Sequence, residues 1–120
     1  MKSLNQAEIF SGILEEYSLL NSKLVSLQIE HTGERLLAKI RLRLSNSCGA
    51  KLITLVFKDV REYSFLYSVD YSFYNVENYK FSVFEKGVYI SLDPADDQIE
   101  RSQDDQDYIV ADQLDGFIEE

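Results

Sequence analysis

Long stretches of the chain alternate apolar and polar side chains with a period of two, and this alternation restricts the fold to one built mainly from β-strands. Residues 25–29 and 36–44 both show it, with Val, Leu, Ala or Ile at every second position. The sequence His31-Thr32-Gly33-Glu34 lies between them. Because successive side chains of a strand point to opposite faces, the two segments predict a β-hairpin with one apolar and one charged face.

Two further strands are expected in the middle of the chain. Residues 52–57 are apolar at nearly every position, which is typical of a central strand. The dipeptide Lys58-Asp59 either ends this strand or introduces a bulge. Residues 63–67 alternate aromatic and other side chains and predict a separate fourth strand, whereas residues 68–78 form either a loop or an irregular edge strand.

The second half of the chain contains a further hairpin signal. Residues 79–84 and 88–92 alternate on either side of Glu85-Lys86-Gly87, and Asp93-Pro94 ends the second strand, since proline cannot donate to a ladder. Residues 95–107 are acidic, with Ile99 as the one apolar anchor, and predict a surface loop. A short strand is expected at 108–111 and an eighth segment around 114–118.

A helix is predicted only near the start of the chain. Between Ser3 and Leu20 the apolar residues recur at spacings of three and four, and Ser3 and Gln6 are placed to cap the first turn. The predicted fold is therefore α+β, with an N-terminal amphipathic helix packed on a curved, mainly antiparallel sheet of six to eight strands. No linker or repeat interrupts residues 1–120, which indicates a single domain.

The charge distribution is strongly uneven along the chain. The net charge is −9, and residues 93–120 contain eleven acidic residues against one base, Arg101. Such a field repels nucleic acid and anionic membranes and attracts cations or a basic protein. The alternative interpretation is that these charges only keep the protein soluble. Neither a secretory signal nor a stretch of ~20 apolar residues is present. These observations predict a cytoplasmic protein that contacts neither membranes nor nucleic acid.

The residues available for catalysis are few. The chain has one histidine, His31, in the first hairpin turn, and one cysteine, Cys48, in a glycine-containing loop. No phosphate-binding glycine loop, nucleophile elbow or zinc ligand set occurs. We therefore expect no enzymatic activity and no cofactor.

Carboxylates and tyrosines remain as candidate binding groups. Calcium prefers six to eight oxygen ligands, but the acidic segment lacks the glycine and spacing of an EF-hand, so no metal site is predicted. Tyrosine is enriched at protein interfaces, and nine aromatic residues crowd positions 63–84. The hypothesised partner-binding residues are Asp93, Asp96, Asp97, Glu100, Asp104, Asp105, Asp107, Tyr71 and Tyr74.

Three segments also carry a resemblance to a known family. These are Leu-Val-Phe-Lys-Asp-Val-Arg-Glu-Tyr at 55–63, Val-Tyr-Ile-Ser-Leu-Asp-Pro at 88–94 and Asp-Asp-Gln-Asp-Tyr-Ile-Val-Ala at 104–111. Over residues 24–116 the chain resembles small, mostly uncharacterised bacterial proteins, some of which look like the immunity proteins of polymorphic toxin systems. The resemblance implies a helix packed on an antiparallel sheet and a non-enzymatic role. Ala95 departs from the aromatic residue that follows the proline in the relatives.

Together these features predict a non-enzymatic bacterial domain that binds a basic protein through its acidic C-terminal surface, as an immunity protein would. Two alternatives remain at this stage. One is a small-ligand or calcium-binding domain that uses a concave aromatic face. The other is a structural protein that self-associates through an exposed strand edge, and the sequence does not decide between monomer and homodimer.

Overall fold

A computed structural model describes residues 2–14, 18–45, 52–66 and 75–119. Within these ranges the chain forms one helix and seven strands, and none of the described helical structure is long and apolar enough to cross a bilayer. The elements in chain order are β1 (Lys2–Leu4), α1 (Gln6–Leu14), β2 (Lys23–Thr32), β3 (Arg35–Arg43), β4 (Leu52–Ser64), β5 (Lys80–Phe84), β6 (Gly87–Asp93) and β7 (Gln106–Glu119).

The described strands form one antiparallel sheet in the order β2-β3-β4-β7-β6-β5. Strand β4 lies between β3 and β7, which confirms the prediction of a central strand, and both predicted hairpins are present. Strand β7 pairs with β4 along one side, while β6 and then β1 pair with successive halves of its other side. The α+β class and the antiparallel sheet are therefore confirmed.

Alternation gives the sheet two different faces. One face, here called the inner face, carries the hydrophobic core, with side chains such as Ile40, Leu55 and Ile109 fully buried. The opposite, outer face carries the intervening residues of the same strands, for example Lys39 and Arg41. Helix α1 packs on the inner face, whereas the segment between β6 and β7 contacts the outer face through Lys80 and Tyr89.

The two longest strands differ from the sequence prediction. Strand β4 continues through Asp59, which has φ 54°, and the register with β7 shifts between Val60 and Glu62. The dipeptide Lys58-Asp59 therefore does not end the strand, and the bulge lies beyond it, at Arg61. The separate strand predicted at 63–67 is wrong, because residues 63 and 64 still belong to β4.

Strand β7 is likewise one strand of 14 residues, so the predicted short strand and separate eighth segment are wrong. Ala111 and Leu114 are both buried although they are three residues apart, which means that the alternation changes phase between them. This phase change made one strand read as two. Pairing with β4 on one side holds β7 continuous across it.

The helix is shorter than predicted and is not clearly amphipathic. It covers nine described residues, and Ser3 lies in β1 opposite Phe117 rather than at the helix cap. Asn5 supplies the cap instead: its Oδ1 accepts a hydrogen bond from the Glu8 amide at 2.9 Å, and Glu8 Oε1 accepts one from the Asn5 amide at 3.0 Å. This reciprocal pair is a capping box.

Among the side chains of helix α1 that the structure describes, Ile9 and Phe10 contact the sheet. Ile9 is fully buried above Gly116 of β7, and the Phe10 ring lies 5.6 Å from that of Phe81 in β5. A Cβ at position 116 would stand 2.8 Å from Ile9 Cδ1, so the glycine permits the close approach of the helix. The helix therefore fixes the inner side of β7 and β5.

Candidate functional site

The acidic loop, defined as residues 94–105 between β6 and β7, lies on the outer face of the sheet near β5. Lys80 of β5 reaches it from below with a side chain only 3 % exposed. Its Nζ donates to Asp96 Oδ1 at 2.9 Å, to the Glu100 carbonyl oxygen at 2.8 Å and to Asp105 Oδ2 at 3.0 Å. One buried ammonium thus ties three points of the loop to the sheet.

Asp105 completes this anchorage from the loop side. Its carboxylate accepts hydrogen bonds from the Tyr89 hydroxyl at 2.6 Å and from the Ala95 and Ser102 amides at 2.9 Å each. The side chain is fully buried, yet both of its oxygens have several donors. We call Lys80, Tyr89, Asp96 and Asp105 the Lys80 cluster.

The Lys80 cluster stabilises the charged forms of Asp105 and Lys80 and the neutral form of Tyr89. Burial acts to raise the pKa of Asp105, but hydrogen bonds from Tyr89, two backbone amides and Lys80 outweigh it and lower the pKa to about 2. Burial acts to lower the pKa of Lys80, and hydrogen bonds to Asp96 and Asp105 reverse this effect and raise it. Burial and the bond to Asp105 raise the pKa of Tyr89. At neutral pH the loop is therefore held by a charged pair and a neutral phenol.

Two of the carboxylates predicted to bind a partner are internal. Asp105 and Asp107 are 5 % and 1 % exposed, so the expectation that both lie on an exposed surface loop is wrong. Asp107 has φ 50°, and its Oδ1 accepts a hydrogen bond from the Leu66 amide at 2.9 Å. The buried carboxylates are occupied with bonds to their own chain, which leaves them unable to contact a partner.

The other predicted carboxylates lie at or near the surface. Asp97 accepts a hydrogen bond from the Asn78 side chain at 3.3 Å, Asp96 contacts Lys80, and Asp93 is partly buried. Glu100 and Asp104 are exposed. Tyr71 and Tyr74, like Cys48, lie outside the described residues.

An apolar groove of about 360 Å³ lies between the acidic loop and the hairpin β5–β6. Its apolar lining comes from Val83, Phe84, Tyr89, Ile99 and Val110, and Glu100 stands at its side. Ile99 is 76 % exposed, and Val83 and Phe84 are 42 % and 44 % exposed. The sequence interpretation of Ile99 as an anchor that fixes the loop is wrong, because this side chain faces solvent at the groove.

Arg101 forms the polar wall of the groove. Its two terminal guanidinium nitrogens, Nη1 and Nη2, donate to the carboxylate of Glu62 in β4. The guanidinium also lies over the rings of Tyr108 and Tyr89, at 4.6 and 5.7 Å from their centroids. The Tyr108 hydroxyl also donates to Glu62. The Arg101 and Tyr108 hydrogen bonds lower the pKa of Glu62. The charge of Arg101 is thus compensated within the protein, so the acidic residues set the sign of the groove.

Metal binding gains no support from this arrangement. Across the ranges that the structure describes, no group of three or more Asp, Glu, His or Cys side chains is arranged to hold a metal ion. Between Asp96 and Asp105, where a cation would sit, the position is taken by Lys80 Nζ. His31 is exposed at the end of β2.

Sequence reasoning found the acidic loop but missed the residues that shape it. Lys80, Tyr89 and Arg101 had no local signal, since each is a polar or aromatic residue on the face of a strand or in a loop. The alternation places Val83 and Phe84 in a strand and indicates no binding role for them. Comparison of the chain with protein-family models, curated proteins and solved structures finds no match.

Proposed function

We propose that this protein is a binding domain that docks a basic partner protein on the groove and the acidic loop beside it. The observation that carries the proposal is Ile99, which stands 76 % exposed next to a groove lined by further exposed apolar side chains. A contiguous exposed apolar surface rimmed by polar residues is the usual mark of an interaction site.

The rigidity of the loop favours recognition. The Lys80 cluster ties the loop to β5 and β6 through buried hydrogen bonds, so Ile99 is presented in one position. A preorganised surface binds without the cost of ordering a mobile segment. Covering one aliphatic side chain of this size contributes roughly 1.5–3 kcal/mol, which makes Ile99 the expected centre of the interface.

The charge around the groove selects the partner. Asp97, Glu100 and Asp104 lie on the loop surface, and the neighbouring cations Lys80 and Arg101 are already paired within the protein. A basic surface that carries an apolar side chain matches this pattern. Electrostatic complementarity of this kind accelerates association and excludes acidic competitors. Toxin neutralisation is the specific form of the proposal that the family resemblance implies.

The test is a comparative affinity capture from the native lysate with four forms of the tagged protein. Wild type and Glu85→Lys, which reverses an exposed charge in the β5–β6 turn, are expected to retain the same basic protein at low salt. Ile99→Asp and Glu100→Lys are expected to lose it, since each alters a surface side chain of the groove. Retention by all four forms, or loss from all but wild type, would remove the groove from the function.

A further inference from the structure

Strand β5 forms one end of the described sheet, and the groove lies directly alongside it. The turn at residues 85 and 86 closes on the pair Phe84–Gly87, so the ladder bonds to β6 fall on Phe84, Ser82 and Lys80. The backbone N–H and C=O groups of Phe81 and Val83 then point away from β6. Among the described residues, no backbone–backbone hydrogen bond outside the helices and strands involves Phe81 or Val83.

The opposite end of the sheet, β2, is arranged differently. Its register with β3 shifts between Leu24 and Ser26, which is a bulge, and its edge carries the charged residues Lys23 and Glu30. Bulges and charges are the features by which sheets discourage the addition of another strand. Strand β5 has neither in its exposed half, where Val83 and Phe84 are apolar and more than 40 % exposed. Of the two end strands of the described sheet, β5 is therefore the one suited to pairing with an added strand.

The acidic loop runs beside β5 on the outer face. Asp97 contacts Asn78 just before the strand, Asp96 contacts Lys80 at its start, and Glu100 lines the groove with Val83 and Phe84 near its end. A strand added at β5 would direct every second side chain toward this row of carboxylates and the groove. Basic and apolar side chains at those positions would be complementary to it.

We propose that the basic partner binds by adding an extended segment to the edge of β5, pairing with the backbone of Phe81 and Val83 and directing basic and apolar side chains toward Glu100 and the groove. The inference rests on the proposed function and specifies its recognition mode. A second copy of this chain is disfavoured as the occupant, because pairing β5 with β5 would bring two acidic loops together.

The probe is the capped heptapeptide Lys-Lys-Val-Val-Lys-Lys-Val, which places both lysine and valine on each face of an extended strand, and the corresponding glutamate-valine peptide is the charge control. Two further lysine-valine peptides carry N-methyl groups at alternate residues, one set on each edge of the extended strand, and so separate backbone pairing from side-chain attraction. The readouts are the dissociation constant and the hydrogen-exchange protection of the Val83 amide. We expect the unmodified peptide to protect that amide, one methylated peptide to lose at least ten-fold in affinity, and the glutamate peptide not to bind.

Protein variants give the second arm of the test. Val83→Pro removes the outward N–H while leaving the ladder bonds of Ser82 and Phe84, and Val83→Thr keeps the N–H with a similar branched shape. We expect the proline variant to lose at least ten-fold in affinity and the threonine variant to lose less than three-fold. Equal binding of both methylated peptides, no binding of the unmodified peptide at millimolar concentration, or a dimer that Val83→Pro dissociates would each overturn strand addition. In those cases, failure of Ile99→Asp to capture the lysate partner would still support the groove as the docking surface, although not strand addition as the binding mode.

Discussion

Helix α1 and the acidic loop cover opposite faces of the sheet, and they are held by opposite kinds of interaction. Helix α1 rests on the inner face through apolar contacts of Ile9 with Gly116 and of Phe10 with Phe81. The acidic loop rests on the outer face through the Lys80 cluster, and its most apolar side chain, Ile99, points to solvent. The apolar contacts of helix α1 stabilise the fold, whereas the charged anchorage of the acidic loop leaves Ile99 free to contact a partner.

This difference has a physical reason. A loop fixed by apolar contacts must bury its own hydrophobic residues to stay in place, which leaves none to offer a partner. Hydrogen bonds from buried charged groups fix position just as firmly, provided that every donor and acceptor is satisfied. In the described part of the chain no buried side-chain nitrogen or oxygen lacks a hydrogen-bond partner, so the Lys80 cluster meets that condition.

The largest loss of stability is expected when the Lys80 cluster can no longer hold the acidic loop. Asp105→Ala removes a carboxylate that accepts bonds from Lys80, Tyr89 and two amides, and it leaves the buried ammonium with Asp96 as its remaining carboxylate partner. Removing one member of a buried ion pair costs about 3–5 kcal/mol. We expect a loss in that range in urea unfolding monitored by circular dichroism.

The neighbouring carboxylate is the matched control for this change. Asp104 is exposed, and its replacement by alanine is expected to shift stability by no more than about 0.5 kcal/mol. Similar unfolding midpoints for Asp105→Ala and Asp104→Ala would mean that the loop is not held by the Lys80 cluster.

The next largest effect is expected on acidification, which should weaken the anchorage of the acidic loop but not the contacts of helix α1. The pKa of Asp105 is about 2 in the folded protein against 3.8 ordinarily, so the folded state binds the proton less tightly than the unfolded state. The stability from this group is then fully present above about pH 5 and is lost as pH falls toward pH 2, by about 2 kcal/mol in all. Asp105→Ala lacks this contribution, so its stability deficit against wild type should shrink by that amount on acidification.

The helix side supplies the comparison for the acid experiment. Ile9→Val removes one buried methyl group, which typically costs about 0.5–1.5 kcal/mol, and no ionisable side chain is changed. We expect its deficit in urea unfolding to be the same at every pH. A deficit for Asp105→Ala that is equally independent of pH would argue against the charged anchorage.

The sequence allowed prediction of the sheet, but not of the outer cover. Alternation located the strands because each residue's face follows from its neighbours two positions away. The prediction failed at residues 59–62 and 111–114, where the alternation of buried and exposed residues changes phase. Each of the long strands β4 and β7 was therefore predicted as two strands. Lys80 occupies an outward strand position that local pattern marks as exposed, and it is buried only because a loop about 20 residues later folds over it. Such a pairing is set by the tertiary fold and has no local signature.

The smallest expected effect comes from the contact between helix and sheet. Gly116→Ala places a Cβ 2.8 Å from Ile9 Cδ1 and 3.1 Å from the Thr54 carbonyl oxygen, so the helix must shift slightly. Overpacking acts against the entropic advantage of replacing glycine in a strand, and we expect a net loss of about 1 kcal/mol in urea unfolding. Ile9→Val removes Cδ1 but not the close approach to the Thr54 carbonyl oxygen, so in that background Gly116→Ala should cost less stability than it does in wild type. Additive losses in the double variant would show that Ile9 does not set the approach of α1 to β7, because two changes in direct contact must otherwise be coupled.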